Sequence, residues 1–194
     1  IAFVKVTAIV VFASGVARAT RLVEQLLALA REERVGAHAR EPVDVSVLLR
    51  EVMEEMLPLA DARRVDLGIT RADAASVRGD RDSLRVLVRN LVDNAVRYAP
   101  EGGRVDLSVE LRDSDPRRLW VVVTDDGPGI PPAERERVFD RFYRVPGSSA
   151  GGSGIGLALV RSIARHHGGD VRLDDGPGGV GLQVTVDLPA PAES

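Results

Sequence analysis

Three short polar or glycine-rich motifs constrain this chain more than any other feature. They are Asn90-Leu-Val-Asp-Asn-Ala-Val-Arg-Tyr98, then Asp125-Asp-Gly-Pro-Gly-Ile-Pro131, and then Gly152-Ser-Gly-Ile-Gly-Leu-Ala158. The first lies in a segment with helical periodicity, the second follows an apolar strand pattern, and the third opens a helical pattern. Their chemistry makes sense only if the fold brings them together.

The first motif places two carboxamides on one helix face. Asn90 and Asn94 are four residues apart, and Arg97 follows one turn later. They could be solvated polar residues of an amphipathic helix. Asparagine is, however, a mediocre helix former, so two of them within a helix call for another reason. A carboxamide oxygen is a neutral, hard ligand that suits Mg²⁺, which takes few protein ligands beside phosphate oxygens.

The second motif must be judged against its own repeat in this chain. The tetrapeptide Asp-Gly-Pro-Gly ends at Gly129 and occurs again from Asp175 to Gly178, where it separates two short strands and predicts a hairpin turn. The tetrapeptide alone therefore discriminates nothing. The first copy differs because Asp125 stands at a strand end, where a carboxylate can accept a hydrogen bond from the exocyclic amine of adenine. The glycines let the backbone approach the ring.

The third motif is a weak signal on its own, because flexible loops are often glycine-rich. It gains value because a helix is predicted from Leu157 onward, so that free N–H groups and the positive end of the helix dipole favour phosphate in the loop. The two other common phosphate loops do not fit. The chain has no GxxxxGK[ST] sequence, and neither glycine cluster opens a βαβ unit with the required downstream acid.

The order and spacing of the motifs resemble the catalytic ATP-binding domain of sensor histidine kinases, in the superfamily of gyrase B, Hsp90, histidine kinases and MutL (GHKL). The resemblance covers roughly residues 13–189 and implies ATP and Mg²⁺ as cofactors. It implies catalytic and metal-binding roles for Asn94, as chief ligand, and Asn90, with Arg97 near the phosphates and Tyr98 near the nucleoside. The other nucleotide-binding positions that it implies are Asp125, Gly127, Gly129, Ile130, Phe142, Arg144, Gly152, Gly154, Ile155, Gly156 and Leu157.

A further segment resembles the beginning of the family's mobile lid. Phe139-Asp-Arg-Phe-Tyr-Arg144 matches its aromatic motif, although the phenylalanines could equally be anchors in the core. Arg141 and Arg144 are candidate phosphate contacts. Residues 144–153 are small, polar or glycine, which predicts a lid that opens at little free-energy cost. Gly179-Val-Gly181 matches the family's last glycine motif loosely.

The periodicity predicts helices and strands throughout. The implied fold is an α+β two-layer sandwich, with a mixed sheet packed on three helices, preceded by a long helix. The predicted domains are a partial dimerisation region over residues 1–35, a linker over 36–44 and the catalytic domain over 45–190. Predicted helices are 13–34, 45–63 with a cap at Asp44 and a kink at Pro58, one capped by Asp80 or Asp82, 132–139 and 154–167. Predicted strands are 65–69, one near Val77, 105–111, a central strand at 119–123, and a hairpin of 170–174 and 180–188.

Composition excludes some classes of function. The 194 residues carry a net charge of −3 and no stripe of Lys and Arg, so nucleic acid is not an expected partner. No cysteine is present, which excludes disulfides and thiolate metal sites. The apolar segment from Ile1 to Phe12 is shorter than the ~20 residues that span a bilayer. It could be the remnant of a longer helix, a truncated membrane segment or buried structure.

The histidines do not match the family's phosphoacceptor motif, in which an acid and an Arg-Thr-Pro-like stretch follow the histidine. His38 lies after the segment that resembles the second helix of the dimerisation hairpin, and His166 and His167 end a predicted helix, where cations suit the dipole. The resemblance therefore implies a two-component protein-histidine kinase, a transferase, whose acceptor hairpin is not complete in this chain. It also implies a response regulator as partner, a homodimer in the intact kinase, and the cytoplasmic domain of a bacterial inner-membrane protein, with membrane contact only through upstream segments.

Two other functions remain open. A related GHKL ATPase would carry a general-base glutamate four residues before the magnesium asparagine, and here Asn90 occupies that position, which disfavours water activation. A nucleotide-binding regulatory module without catalysis is compatible with the same motifs.

Overall fold

Three helices packed on one five-stranded sheet make up most of the described protein. The computed structural model describes residues 40–112, 117–147 and 153–191, which belong to the compact unit Gly36–Ser194. The helices are α1 (Val45–Arg63), α2 (Arg81–Tyr98) and α3 (Gly156–His166). The helix predicted over residues 13–34 lies outside the described residues.

The first two helices begin where aspartates cap them. The Asp44 carboxylate accepts hydrogen bonds from the N–H groups of Ser46 and Val47 at the start of α1. Asp80, rather than Asp82, does the same at the start of α2. Such caps satisfy N–H groups that have no partner within the helix. Helix α1 continues through Pro58, and Arg64 ends it in the left-handed conformation, with φ of 55°.

The large sheet is mixed, with its strands in the order β2–β4–β5–β7–β6. The pair β2–β4 is parallel and the other pairs are antiparallel. The predicted central strand is therefore confirmed as β5. The strands are β1 (Glu41–Asp44), β2 (Asp66–Ala72), β3 (Ser76–Gly79), β4 (Arg104–Arg112), β5 (Arg118–Asp125), β6 (Asp170–Asp175) and β7 (Leu182–Pro189).

The core lies between the helices and one face of this sheet. Alternate residues of β5 are buried, as are the apolar residues of α2 that recur at helical spacing, because each element buries a single face. The buried set includes Leu84, Leu87, Leu91, Ala95, Leu119, Val121 and Val123. The α+β sandwich with a mixed sheet on three helices is confirmed. Within the described ranges, no helix combines the length and the apolarity needed to cross a membrane.

Three boundaries differ from the sequence analysis. Residues 41–44, assigned there to the linker, form β1 and pair antiparallel with β3. The helix predicted from Pro132 to Phe139 is wrong, because two short 3-10 turns replace it, Pro132–Glu134 and Arg137–Phe139. Their hydrogen bonds span three residues, as in the bond from Glu134 N–H to the Pro131 carbonyl. Helix α3 begins at Gly156 rather than at residue 154, since Gly154 has φ of 70°.

Candidate functional site

The two asparagines of α2 face the first residue of α3. A Cβ atom placed on Gly156 would lie 3.3 Å from Oδ1 of Asn90 and from Nδ2 of Asn94, and 3.5 Å from Oδ1 of Asn94. The Asn90 side chain donates from Nδ2 to the Val86 carbonyl at 2.7 Å, which leaves its Oδ1 directed toward α3. The fold therefore brings the first and third motifs together.

The N-terminus of α3 has no side-chain cap. Ile155 occupies the cap position and makes no capping hydrogen bond, in contrast to Asp44 and Asp80 at the other two helices. The first-turn N–H groups of a helix have no partner within it and carry the positive end of its dipole. Gly156 and Leu157 thus present backbone donors beside the asparagine carboxamides, an arrangement suited to an anion.

Asp125 is a buried carboxylate at the end of the central strand. Asp125 is 5% exposed, and its Oδ1 accepts a hydrogen bond from the Gly127 N–H at 2.9 Å. Burial raises the pKa of Asp125 to about 6, against the lowering effect of hydrogen bonds from the Gly127 and Leu182 backbone; the charge of Asp126 raises it further. A carboxylate that is costly to bury without a strong partner is a candidate for ligand recognition.

The glycines beside Asp125 are required by close backbone approaches. A Cβ on Gly127 would lie 2.7 Å from both Asp125 Oδ1 and the Tyr98 carbonyl oxygen. Gly129 has φ of 69°, and its Cβ would lie 2.9 Å from the Gly181 carbonyl oxygen. Tyr98 at the end of α2, the second motif and the last glycine motif therefore meet around Asp125, with half-buried Ile130 at the end of the loop.

Arg97 is held by an acid of its own helix. Its Nε donates to Asp93 at 2.7 Å, and both side chains are largely buried. The spacing of four residues places the pair on one face of α2. A phosphate contact by Arg97 remains a prediction, and it would have to be made from this paired position.

The segment predicted as the beginning of the lid is tied to the glycine motif. The Phe142 N–H donates to the Gly154 carbonyl at 2.9 Å, and a Cβ on Gly154 would lie 2.7 Å from the Phe142 backbone. Phe142 is 66% exposed, so it is not an anchor in the core, whereas Phe139 is buried. Arg144 is exposed at the surface. Gly152 and the central part of the predicted lid, residues 148–152, lie outside the described residues.

The sequence analysis missed one side chain that joins the loop of the second motif to the edge of the sheet. Arg135 follows the first 3-10 turn, and its Nε donates to the Ile130 carbonyl at 3.0 Å. Its guanidinium also reaches the Leu173 carbonyl and pairs with the Asp175 carboxylate. Sequence position could not reveal this link, because Arg135 and Asp175 are 40 residues apart.

His167 fixes the opposite ends of the two helices that form the site. It is 3% exposed, its Nδ1 lies 2.8 Å from the Ile163 carbonyl, and its Nε2 accepts from the Asp80 N–H at 3.2 Å. This pattern belongs to a neutral imidazole with the proton on Nδ1. The expectation of a cation at this helix end is therefore corrected for His167, which serves as a packing link between α3 and the start of α2.

The chain is similar to known proteins over most of its length. Residues 79–192 match the family model described as "Histidine kinase-, DNA gyrase B-, and HSP90-like ATPase". The chain is 41% identical to the signal transduction histidine-protein kinase/phosphatase MprB of Mycobacterium leprae (strain TN), over 87% of this chain and 32% of that protein. It is 35% identical to the swarming motility regulation sensor protein RssA of Serratia marcescens, over 90% of this chain and 37% of that protein. The chain thus spans about a third of the length of these curated relatives.

A solved structure supports the same relationship across a whole domain. The structure of a mycobacterial sensor histidine kinase MprB is 36% identical with a TM-score of 0.69, and the match covers 79% of this chain and 99% of that one. The chain therefore belongs to the histidine kinase-, DNA gyrase B- and HSP90-like ATPases, as a catalytic ATP-binding domain of the sensor-histidine-kinase type.

Proposed function

We propose that this domain binds Mg²⁺–ATP and transfers the γ-phosphoryl group to a histidine on a dimerisation hairpin that is not complete in this chain. The observation that carries the proposal is the position of Gly156 between Asn90 and Asn94 at the uncapped start of α3. Backbone donors for phosphate and oxygen ligands for a cation thus lie side by side. The buried acid at the end of β5 supplies a separate recognition point for a base.

The side chains present fit a magnesium ion that is bound together with phosphate. Within the described ranges, no group of three or more His, Cys, Asp or Glu side chains could hold a metal ion. The carboxamide oxygens of Asn94 and Asn90 would instead hold the cation, with phosphate oxygens and water completing its octahedral shell. Bound there, the cation would neutralise charge on the phosphates.

Asp125 supports adenine as the base. Its carboxylate can accept from the exocyclic amine of adenine, whereas guanine presents a carbonyl oxygen at the same position and would be repelled. Gly127 and Gly129 keep side chains away from this part of the pocket. Tyr98 and Ile130 are the neighbouring candidates for contact with the nucleoside.

Transfer to a histidine is favoured over hydrolysis by the residue at position 90. Phosphoryl transfer depends mostly on positioning and on neutralising charge, and hydrolysis additionally needs a group that orients the attacking water. Asn90 cannot act as a base, and its Nδ2 is occupied by Val86. As the domain of a sensor kinase, the chain would act on the cytoplasmic side of the bacterial inner membrane, within a homodimer that passes the phosphoryl group to a response regulator.

The metal assignment is tested by removing Asn94. Asn94→Ala should weaken ATP binding measured in Mg²⁺ far more than binding measured in EDTA, because the lost ligand matters only when the cation is present. Asp82→Ala, at an exposed position in the first turn of the same helix, is the control and should bind as the parent does. An equal loss in both solutions would make Asn94 a structural residue.

Phosphotransfer to an added acceptor tests the reaction itself. The protein should label the histidine of a supplied sensor-kinase hairpin from radiolabelled ATP, and Asn94→Ala should not. No acid-labile label is expected on His38, His166 or His167 without that hairpin. ATP binding without transfer to any supplied hairpin would favour the non-catalytic module instead.

A further inference from the structure

The second copy of Asp-Gly-Pro-Gly is joined to the first. Asp175 ends β6, and the hairpin of residues 176–181 follows it and leads into β7. A Cβ on Gly181 would lie 1.8 Å from the Asp125 carbonyl oxygen, so this hairpin touches the backbone of the candidate base-recognition residue. Leu182 pairs with Asp125 in the strand register, and its N–H donates to the Asp125 carboxylate. The hairpin therefore forms the wall behind Asp125.

Arg135 connects the outer ends of these two segments. Its Nε bond to the Ile130 carbonyl holds the end of the loop that begins at Gly127. Its contacts with the Leu173 carbonyl and Asp175 hold the end of β6, from which the hairpin leads. The Arg135 side chain is only 19% exposed, although it carries a charge. The planar guanidinium can serve several acceptors at fixed angles, which lysine cannot do.

The ion pair alone does not explain this arrangement. The Asp175 side chain is 61% exposed, and exposed ion pairs contribute little to stability. The more constrained contact is the bond from Nε to the Ile130 carbonyl, since that carbonyl belongs to the loop that would line the base pocket. Loss of the guanidinium should thus free the loop from the end of β6, whereas loss of the Asp175 charge should not.

From this geometry we infer that Arg135 is a positioning residue for base recognition: it ties the loop of residues 127–130 to the end of β6, where the hairpin of residues 176–181 begins, and so holds Asp125 and its neighbours in place for adenine. The inference rests on the proposed function, because it assumes that adenine is bound at Asp125. Arg135 itself need not touch the nucleotide. Its effect should fall on the base end of the ligand and leave the phosphate end, at Asn94 and Gly156, unchanged.

The test compares Arg135 with a matched arginine whose guanidinium also bonds to a strand of the large sheet. Arg118 also donates through Nε to an aspartate of a neighbouring strand, Asp187, at 2.8 Å, and reaches its backbone carbonyl at 3.3 Å. Its side chain is 24% exposed. Arg135→Ala should weaken ATP binding about fivefold to thirtyfold, as expected for the loss of one or two hydrogen bonds that hold the pocket. Arg118→Ala should change it less than about twofold.

The distribution of the effect separates positioning from general destabilisation. Arg135→Ala should lower the ratio of ATP affinity to GTP affinity, whereas inorganic triphosphate should compete with ATP for the phosphate end as well as it does in the parent. Arg135→Lys, which keeps the charge beside Asp175 but loses the planar fork, should resemble Arg135→Ala, and Asp175→Asn should resemble the parent. Arg135→Lys also serves if Arg135→Ala does not fold.

Two results would overturn the inference and leave the proposed function standing. One is that the parent protein prefers ATP to GTP and Arg135→Lys binds ATP as tightly as the parent does. The other is an equal loss of ATP and triphosphate binding in the Arg135 variants. A parent protein that does not bind ATP at all would instead contradict the proposed function.

Discussion

The two copies of Asp-Gly-Pro-Gly show how position in a sheet decides what a short sequence does. The first follows β5, at the centre of the sheet, and the second begins with the last residue of β6, at its edge. The last glycine of each copy has a similar backbone conformation: Gly129 has φ of 69° and Gly178 has φ of 72°. Their surroundings differ, because a Cβ on Gly129 would meet the Gly181 backbone and one on Gly178 would meet nothing within 4 Å.

The acids before the two turns differ in the same way. Asp125 is buried and accepts hydrogen bonds from backbone N–H groups, whereas Asp174, its counterpart, bonds to the Arg172 side chain at 2.6 Å near the surface. A central strand is covered on both edges by neighbours, so its terminal side chain can be enclosed. An edge strand leaves its end open to water. The local sequence therefore determines the conformation of the turn glycine, and burial determines the chemistry of the neighbouring acid.

The largest expected effect is on stability, at the point where the hairpin meets the first copy. Gly181→Ala would combine φ of 80° with a Cβ 1.8 Å from the Asp125 carbonyl oxygen. Left-handed strain and overpacking together should lower the free energy of unfolding by about 3 kcal/mol or more. Gly178→Ala has similar φ strain without the contact and should cost about 1–2 kcal/mol. Denaturant unfolding measures both, and equal losses would contradict the backbone approach at Gly181.

The next effect concerns ATP affinity and contrasts the two acids. Asp125→Asn should weaken ATP binding about tenfold to a hundredfold, since removing a charged hydrogen-bond acceptor costs about 1.5–3 kcal/mol. Asp174→Asn should leave binding unchanged, because its carboxylate is engaged at the surface by Arg172. Calorimetric titration of both variants, with GTP as a second ligand, tests the contrast. Equal binding of ATP and GTP by the parent would remove Asp125 as the source of selectivity.

A smaller effect on ATP affinity is a dependence on pH that only the first copy should show. With a pKa of about 6, the buried Asp125 would be mostly protonated at pH 5. A neutral carboxyl group accepts a hydrogen bond from adenine more weakly than a carboxylate does. From pH 7 to pH 5, ATP affinity measured relative to Asp125→Asn should then fall by up to about tenfold. Taking this ratio at each pH cancels the titration of the ATP phosphates. A parent and a variant with parallel profiles would show that Asp125 does not titrate in this range.

Stability should change in the opposite direction over the same range. Because the pKa of Asp125 is raised from 3.8 to about 6, the folded state binds this proton more tightly than the unfolded state does. Its contribution to the free energy of unfolding is complete below pH 4 and is lost as pH rises through 6, by up to about 3 kcal/mol. Asp125→Asn should lack this decline, whereas Asp174→Asn should keep it.

Much of the fold could be predicted because its signals are local. The caps at Asp44 and Asp80, the buried stripe of α2 and the alternation in β5 each depend on residues that are close in sequence, and the structure confirms them. The incorrect prediction of a helix at residues 132–139 rested on a composition that favours helices. The structure instead places Arg135 between the two turns, where its side chain bonds to Ile130 and β6. The tertiary contacts of Arg135 thus lie where the chain departs from the helix that local propensity favoured.

The sequence by itself determined which chemical groups the site contains: two carboxamides one helical turn apart, an acid at a strand end, and a glycine motif at the start of a helix. These depend on spacing within single elements, which the backbone geometry of helices and strands makes predictable. Only the tertiary structure decided which of two identical tetrapeptides follows a buried acid, that Gly156 lies against both Asn90 and Asn94, and that Arg135 bonds to both Ile130 and the end of β6. Such contacts join residues far apart in sequence, and they arise only when packing of the whole domain brings the elements together.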